Sequence, residues 1–225
     1  MKIKFGSFIV AGSGKIGGHV ASKNRGGSYL RTKVTPNNPQ TTAQMSVRGI
    51  FASISSLWSG LTQGQRDSFD GFVAAYSTTD IFGDIRNPSG KNLFQRLNQN
   101  LENTGQSQIT TCVAPSEVPF ANVNSATGDL SDERIDVNTL GDTTDCMLLV
   151  FATPSLSQGT KFVKNKLRVI GYYPGGAAEL VNIWGDYVTK YGEPALGANL
   201  YVGVRVINAN GQASPLETVK ATISA

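Results

Sequence analysis

The spacing of apolar residues changes along the chain and divides it into segments of different predicted structure. Up to residue 40, short β-forming runs such as KIKF, SFIV and SYLRTKV alternate with glycines, which predicts an extended glycine-rich β arm. Residues 41–105 have apolar positions at helical spacing and predict a small three-helix cluster. Residues 145–225 carry β-rich runs that predict an antiparallel β-sandwich, and the polar, acidic residues 106–144 are interpreted as a connection, with a strand near 134–137. The predicted fold class is therefore α+β.

Side chains that can cap a helix mark where the three helices begin. Thr41–Gln44 and Thr62–Gln65 each form the T-x-x-Q pattern of a capping box, Ser89 precedes the third helical stretch, and Gly105 is placed to end it. The apolar faces of these helices are predicted to pack inward on one another. They comprise Met45, Val47, Ile50, Phe51, Ile54, Leu57 and Trp58, then Phe69, Phe72, Val73 and Tyr76, and finally Leu93, Phe94, Leu97 and Leu101.

Three glycines of the arm stand at the G-x-G-x-x-G spacing of a dinucleotide-binding fingerprint, namely Gly12, Gly14 and Gly17. That fingerprint requires a long helix after the glycines and an acidic residue about 20 positions further on. The following stretch, IGGHVASKNRGG, holds two glycine pairs, and each interior glycine costs a helix about 1 kcal/mol relative to alanine. The first acidic residue is Asp67. We therefore predict no nucleotide cofactor, and strands that must pair with another part of the fold or with a neighbouring chain.

Charge is distributed unevenly along the chain and suggests partner contacts for the arm. The net charge is +4, but residues 1–66 contain nine Lys and Arg and no Asp or Glu. Residues 67–225 contain eleven basic and sixteen acidic residues, a net charge of −5. Such segregation favours binding to a polyanion or to an acidic surface of another subunit. The residues predicted to make these contacts are Lys15, Lys23, Arg25, Tyr29, Arg31 and Lys33.

The chain offers few residues for catalysis or metal binding. His19 is the only histidine, and it lies on the arm with no carboxylate near it in sequence. Cys112 and Cys146 lack the spacing of a metal site, and the sequence leaves their pairing open. Asp132, Glu133 and Asp136 are more typical of a solvated surface than of an acid/base pair. We predict no enzymatic activity, no metal and no cofactor, and neither a signal peptide nor a membrane-spanning segment.

The motifs of the arm and first helices carry a family resemblance. The pattern G-K-I-G-G…S-K-N-R-G-G-S-Y-L-R…P-N-N-P-Q-T resembles a family of uncharacterised proteins from tailed bacteriophages and prophages and from Bacteroidetes genomes. The matching residues are Gly14–Gly18, Asn24–Arg31, Pro36–Gln44, Arg48, Trp58, Leu61, Thr62 and Arg66. Such proteins are encoded among virion structural genes. The resemblance implies a structural component of the virion, in the head shell or head-tail region, assembled in the bacterial host cytoplasm from contacts with other virion proteins and with copies of itself.

The C-terminal segment resembles the end of a fibronectin type III or related immunoglobulin-like sandwich. The stretch YVGVRVINANGQASP has the pattern of the next-to-last strand and the turn that follows it, with Leu200, Val202, Val204 and Val206 predicted to face one way. Roughly eighty residues are too few for seven strands unless the acidic connection contributes strands. The resemblance concerns the fold and implies no active site.

An alternative interpretation is a DNA-binding protein. Leu57-Trp58-x-x-Leu61-Thr62 is similar to the helix junction of HMG boxes, which bend DNA from the minor groove with inserted apolar side chains. The basic arm would then contact phosphates. The same residues also fit a capped helix corner, with Trp58 in the core and Thr62 as the cap, and we favour that interpretation. A third function, a surface-binding adhesin, lacks an aromatic platform and calcium ligands.

Overall fold

The computed structural model describes residues 2, 12–35, 37–157, 159–160, 162–177 and 180–224. These residues form an α+β protein with helices and a large, mostly antiparallel C-terminal sheet, which confirms the predicted class. The chain divides into two compact units, one of residues 1–48 with 78–86 and one of residues 49–77 with 87–225. None of the helices in the described ranges has the length and apolar character needed to cross a bilayer.

The first unit contains the arm, whose described part is a three-stranded antiparallel sheet. Its strands are β1 (Gly14–Ile16), β2 (His19–Asn24) and β3 (Gly27–Thr32). Gly17 has a φ of +55° in the turn between β1 and β2, a conformation that favours glycine. A strand follows this turn, so the glycines lack the strand-to-helix geometry of a dinucleotide fingerprint. Residues 3–11, which include most of KIKF and all of SFIV, lie outside the described residues.

A short hairpin from the middle of the chain belongs to the same unit. It consists of β4 (Thr78–Thr79) and β5 (Ile85–Arg86), paired antiparallel. The sequence pattern did not predict it, because strands of two residues carry no periodicity. The hairpin therefore brings residues distant in sequence to the arm.

The three predicted helices are present, as α1 (Thr42–Gly60), α2 (Gln63–Gly71) and α3 (Gly90–Asn103). The second is shorter than predicted, because the chain turns after Gly71, so Phe72 and Tyr76 pack on the helical core from turns and not from a helix. Thr62 and Gln65 form the complete capping box, in which the Gln65 amide donates to the Thr62 hydroxyl and the Thr62 amide to Gln65 Oε1. The hydroxyls of Thr41 and Ser89 each accept a first-turn amide at 3.3 Å. Gly105, with a φ of +65°, follows the last turn of α3. Local capping thus fixes where the helices begin and end.

The described residues of the C-terminal domain form seven strands and one short helix. They are β6 (Val123–Asp129), β7 (Arg134–Thr139), β8 (Met147–Ala152), β9 (Arg168–Pro174), β10 (Leu180–Asn182), α4 (Trp184–Tyr191), β11 (Asn199–Ile207) and β12 (Glu217–Ser224). The strand order is β10-β7-β6-β12-β11-β8-β9. All neighbouring strands pair antiparallel except β6 and β12. These two pair in parallel, and only through the last two residues of each strand. The order is compatible with a sandwich of a three-stranded and a four-stranded layer.

The core of this domain follows the predicted alternation of β11. Leu200, Val202, Val204 and Val206 are each at most 1% exposed, which confirms that they face inward. The strand predicted near residues 134–137 is also confirmed, as part of β7. With β6, it brings residues assigned to the acidic connection into the sheet, which therefore begins before residue 145. The cause is the alternation within R-I-D-V-N-T, which buries Ile135 and Val137 among polar neighbours.

Candidate assembly surface

A single carboxylate joins the β4–β5 hairpin to the arm. The side chain of Asp80 is 1% exposed, and its Oδ2 accepts from Arg86 Nη2 at 2.6 Å, Arg86 Nε at 3.0 Å and Lys2 Nζ at 3.4 Å. Its Oδ1 accepts from the amides of Phe82 at 2.7 Å and Asp84 at 3.2 Å. Arg86 also lies against the β2–β3 turn, where a Cβ on Gly26 would meet its guanidinium group. Asp80 is thus the centre of a polar cluster, here called the Asp80 cluster, that includes both the arm and the hairpin.

The hydrogen bonds of this cluster keep Asp80 charged. Burial by itself would raise the pKa of Asp80, but the hydrogen bonds from Arg86, from the Phe82 and Asp84 amides and from Lys2 outweigh it. The pKa is held well below the ordinary range of an aspartate. The cluster therefore forms at neutral pH with a carboxylate that accepts from two cations.

Acid is expected to weaken the Asp80 cluster. Because the folded-state pKa is depressed, the contribution of Asp80 to stability is complete above the unfolded value of about 3.9 and is lost as the pH falls through the lower folded value. The amide proton shift of Phe82, which donates to Asp80 Oδ1, should titrate below about pH 3.9 when followed by NMR. Asp80→Asn should abolish that transition, whereas Asp132→Asn, an exposed control, should leave it unchanged. A transition at or above the ordinary aspartate pKa would contradict this account.

The residues predicted to contact partners lie on the described strands of the arm. Five of them are basic and exposed, and Tyr29 is half-buried beside Lys2, with which it forms an isolated β-bridge. The basic five are Lys15 on β1, Lys23 on β2, Arg25 in the following turn, Arg31 on β3 and Lys33 just after it. Within the described part of the chain, none of these five forms an ion pair. Their charges are therefore available to a partner.

The arm has almost no core of its own. Among the described residues 12–35, Ala21 alone is buried, and the side chains of Ile16 and Val34 are 65% and 68% exposed. A sheet of this size without a buried face is marginal in water. Additional apolar contacts from another chain would stabilise it.

Helix α1 differs from the predicted inward packing. Ile54 is its only fully buried residue, whereas Phe51 is 55% exposed. The other strongly exposed apolar side chains of the helix are Met45, Val47 and Leu57, at 52%, 59% and 45%. The expectation that these four residues pack inward is wrong, because α1 contributes to the helical core only through Ile50, Ile54 and Trp58, a stripe with one residue per turn. We call the surface of the four exposed residues the exposed α1 face.

The helix corner at Trp58 is built from intramolecular contacts. Trp58 and Leu61 are partly buried against the helical core, and the Trp58 ring lies 6.0 Å from that of Phe69. Thr62 caps α2, as described above. Arg66 lies over the Trp58 ring at 5.9 Å and donates from Nη2 to the Ser59 carbonyl at 2.8 Å. This geometry is typical of a capped corner, in which the tryptophan is packed and its neighbouring arginine is engaged.

No family model, curated protein or solved structure matches the chain. Only the geometry of the described residues therefore bears on metal binding and catalysis. In the described ranges, no group of three or more His, Cys, Asp or Glu is placed to bind a metal ion. Cys112 and Cys146 are both free thiols, and burial raises the pKa of each. His19 is exposed on β2. The arm and the exposed α1 face remain the strongest candidates for a functional surface.

The residues that sequence reasoning missed are Asp80 and Arg86. Asp80 lies 78 positions from Lys2, and the two meet only through the fold. A usable signal was present in the stretch TTDIFGDIR, where Gly83, with a φ of +82°, closes the hairpin between two short β-forming runs.

Proposed function

We propose that the protein is a structural component of a tailed bacteriophage particle, in the head shell or head-tail region, that assembles through its N-terminal arm. The observation that carries the proposal is an acid-free, three-stranded sheet with five exposed basic side chains and one buried residue. The resemblance of this segment to virion proteins agrees with it. The role of the protein is then to join subunits, with no catalytic step.

The arm offers two kinds of contact to a neighbouring copy. Among the described strands, β1 is an edge of its sheet, where a further strand could pair through backbone hydrogen bonds. The basic side chains complement the net negative charge of residues 67–225. This gives the contact a preferred partner and orientation. The exposed α1 face supplies apolar area for burial against another chain.

We also propose that the C-terminal domain is fibronectin type III-like. Taking its strands in chain order, the three-stranded group is β6, β7 and β10 and the four-stranded group is β8, β9, β11 and β12. This partition corresponds to the two layers of an immunoglobulin-like sandwich in which the fifth strand returns to the layer of the first two. In the assembled particle this domain projects or bridges, while the arm anchors the subunit.

Deleting residues 1–35 is expected to leave a folded, soluble protein that no longer enters particles. The helical core and the sandwich lie outside the deleted segment, so thermal unfolding should retain a cooperative transition. Mass spectrometry of purified particles, from cells that express the full-length or truncated chain, measures incorporation and copy number. A matched variant with Lys15, Lys23, Arg25, Arg31 and Lys33 replaced by Gln tests the charges alone. Normal incorporation of the truncated chain, or absence of the full-length protein from particles, would overturn the proposal.

DNA is the second candidate partner, because the five exposed cations of the arm are free of ion pairs within the described residues. The salt dependence of the binding affinity distinguishes the two functions. If all five cations contact phosphates, a plot of log affinity against log salt should have a slope of about −4 to −5. A subunit contact built from strand pairing and apolar burial should respond much less. A steep slope with duplex DNA and no self-association would favour the DNA-binding function.

A further inference from the structure

A cleft of about 480 Å³ lies within the second unit, between α3 and the turn that precedes β12. One wall is formed by Arg96 and Asn100 of α3, and another by Arg205 of β11 and by the residues 211–215 of the turn. The lining contains two arginines and no carboxylate. Its volume falls within the range of about 300–1,000 Å³ that is usual for small-molecule sites.

Buried hydrogen bonds hold the walls of this cleft in place. Gln212 is 6% exposed, and its Nε2 donates to the Tyr76 hydroxyl at 2.7 Å. Its Oε1 accepts from the amide and hydroxyl of Ser116 at 2.9 and 3.1 Å. In addition, Asn100 Nδ2 donates to the Gly211 carbonyl at 2.8 Å. The cleft is therefore preformed, since these hydrogen bonds tie the turn at 211–212 to α3, to Tyr76 and to Ser116.

Both arginines carry donors for which no described residue supplies an acceptor. Arg205 Nε is buried and has no hydrogen-bond partner among the described residues. Arg96 is exposed, and its guanidinium lies over the Tyr76 ring at 5.5 Å from the centroid. A buried donor without an acceptor is unfavourable, so an acceptor supplied by a ligand would stabilise the site.

We propose that this cleft binds a carboxylate carried on a small apolar body. A planar guanidinium recognises a carboxylate through two parallel hydrogen bonds, and two such groups in an acid-free lining select an anion. Leu97, Val118 and Pro215 provide apolar surface for the rest of the ligand. The carboxylate comes either from a free small molecule or from an Asp or Glu side chain of a second copy. This inference does not depend on the proposed role in the particle.

The test uses the full-length protein and glutarate as the probe, with inorganic phosphate for comparison. Binding is followed by NMR through the arginine Nε–Hε resonances, which report directly on Arg205. We expect a saturable glutarate shift of the Arg205 resonance and weaker binding of phosphate. If the Arg205 resonance shifts when the protein concentration alone is raised, and glutarate reverses that shift, the carboxylate comes from a second copy of the chain. No saturable shift from either source, or tighter binding of phosphate than of glutarate, would overturn the proposal.

Variants separate the site from general charge effects. Arg205→Gln and Arg96→Gln should each weaken glutarate binding at least tenfold. Calorimetry measures the affinity of both variants, and the Nε–Hε resonance of the arginine that remains in each variant provides a second measurement. Lys91→Gln removes an exposed charge from the same helix outside the cleft and should bind as the wild type does. Unchanged thermal unfolding midpoints without ligand would show that the folded state is intact. Equal glutarate affinity in all three variants would contradict the assignment.

Discussion

Replacing Gly211 with alanine is expected to lower the free energy of unfolding by about 3 kcal/mol. Gly211 has a φ of +75°, and a Cβ there would overlap the carbonyl oxygen of Leu97 and lie 2.9 Å from its carbonyl carbon. Both obstacles are backbone groups of a buried helix, which cannot move aside as a flexible side chain can. The turn would shift away from α3, and the hydrogen bond from Asn100 to Gly211 would be lost. Urea denaturation followed by circular dichroism measures the change.

Gly197→Ala is the matched control for that substitution. Gly197 has a similar φ of +72°, but no atom lies within 4 Å of the position that its Cβ would occupy. Gly197→Ala should therefore lower the free energy of unfolding only by the cost of a left-handed backbone at alanine, about 1 kcal/mol. The difference between the two variants measures the close approach of the turn to α3. Equal destabilisation would show that the turn can yield without cost.

Phe94→Ala is expected to destabilise the protein by about 4 kcal/mol. Phe94 is 1% exposed, and its ring centroid lies 5.1 Å from that of Phe69 and 5.3 Å from that of Trp58. Truncation would remove both aromatic contacts and leave a cavity that three short helices cannot fill by small movements. The same urea titration, with the fluorescence of Trp58 and Trp184 as an additional probe, reports the loss.

Phe51→Ala provides the comparison with an exposed phenylalanine. Because Phe51 is 55% exposed, its truncation should change the free energy of unfolding by no more than about 0.5 kcal/mol. It should nevertheless reduce self-association, measured by sedimentation velocity, if the exposed α1 face is an assembly surface. A large loss of stability in this variant would mean that the side chain is part of the core.

Local signals in the sequence were sufficient to predict the helices and the inward face of β11. A cap acts over three residues and strand alternation over two, so neither depends on the rest of the fold. The extent of burial along α1 was not predictable in this way. It depends on which apolar residues of α1 meet the rest of the helical core, here Ile50, Ile54 and Trp58, and the apolar spacing of α1 alone does not encode this.

The polar clusters could not be predicted because their members are far apart in sequence. Gln212 and Tyr76 are separated by 136 positions, and Asp80 and Lys2 by 78. Each of these residues has an ordinary local context, and its role arises only when the fold brings its partner close. The basic arm was recognisable because its signal is compositional, an absence of acidic residues over a long segment.

The short parallel pairing of β6 with β12 has a consequence for how copies of this chain could join. The pairing occupies one edge of β6 and one edge of β12. The strands at the two ends of the sheet order are then β9 and β10. Strand β10 has three residues, and β9 ends at Pro174 and pairs with β8 through a register shift, features that discourage a foreign strand from docking. Strand exchange at this sheet is thereby disfavoured, so in the proposed assembly new copies would add at the glycine-rich sheet and the assembly would have a direction.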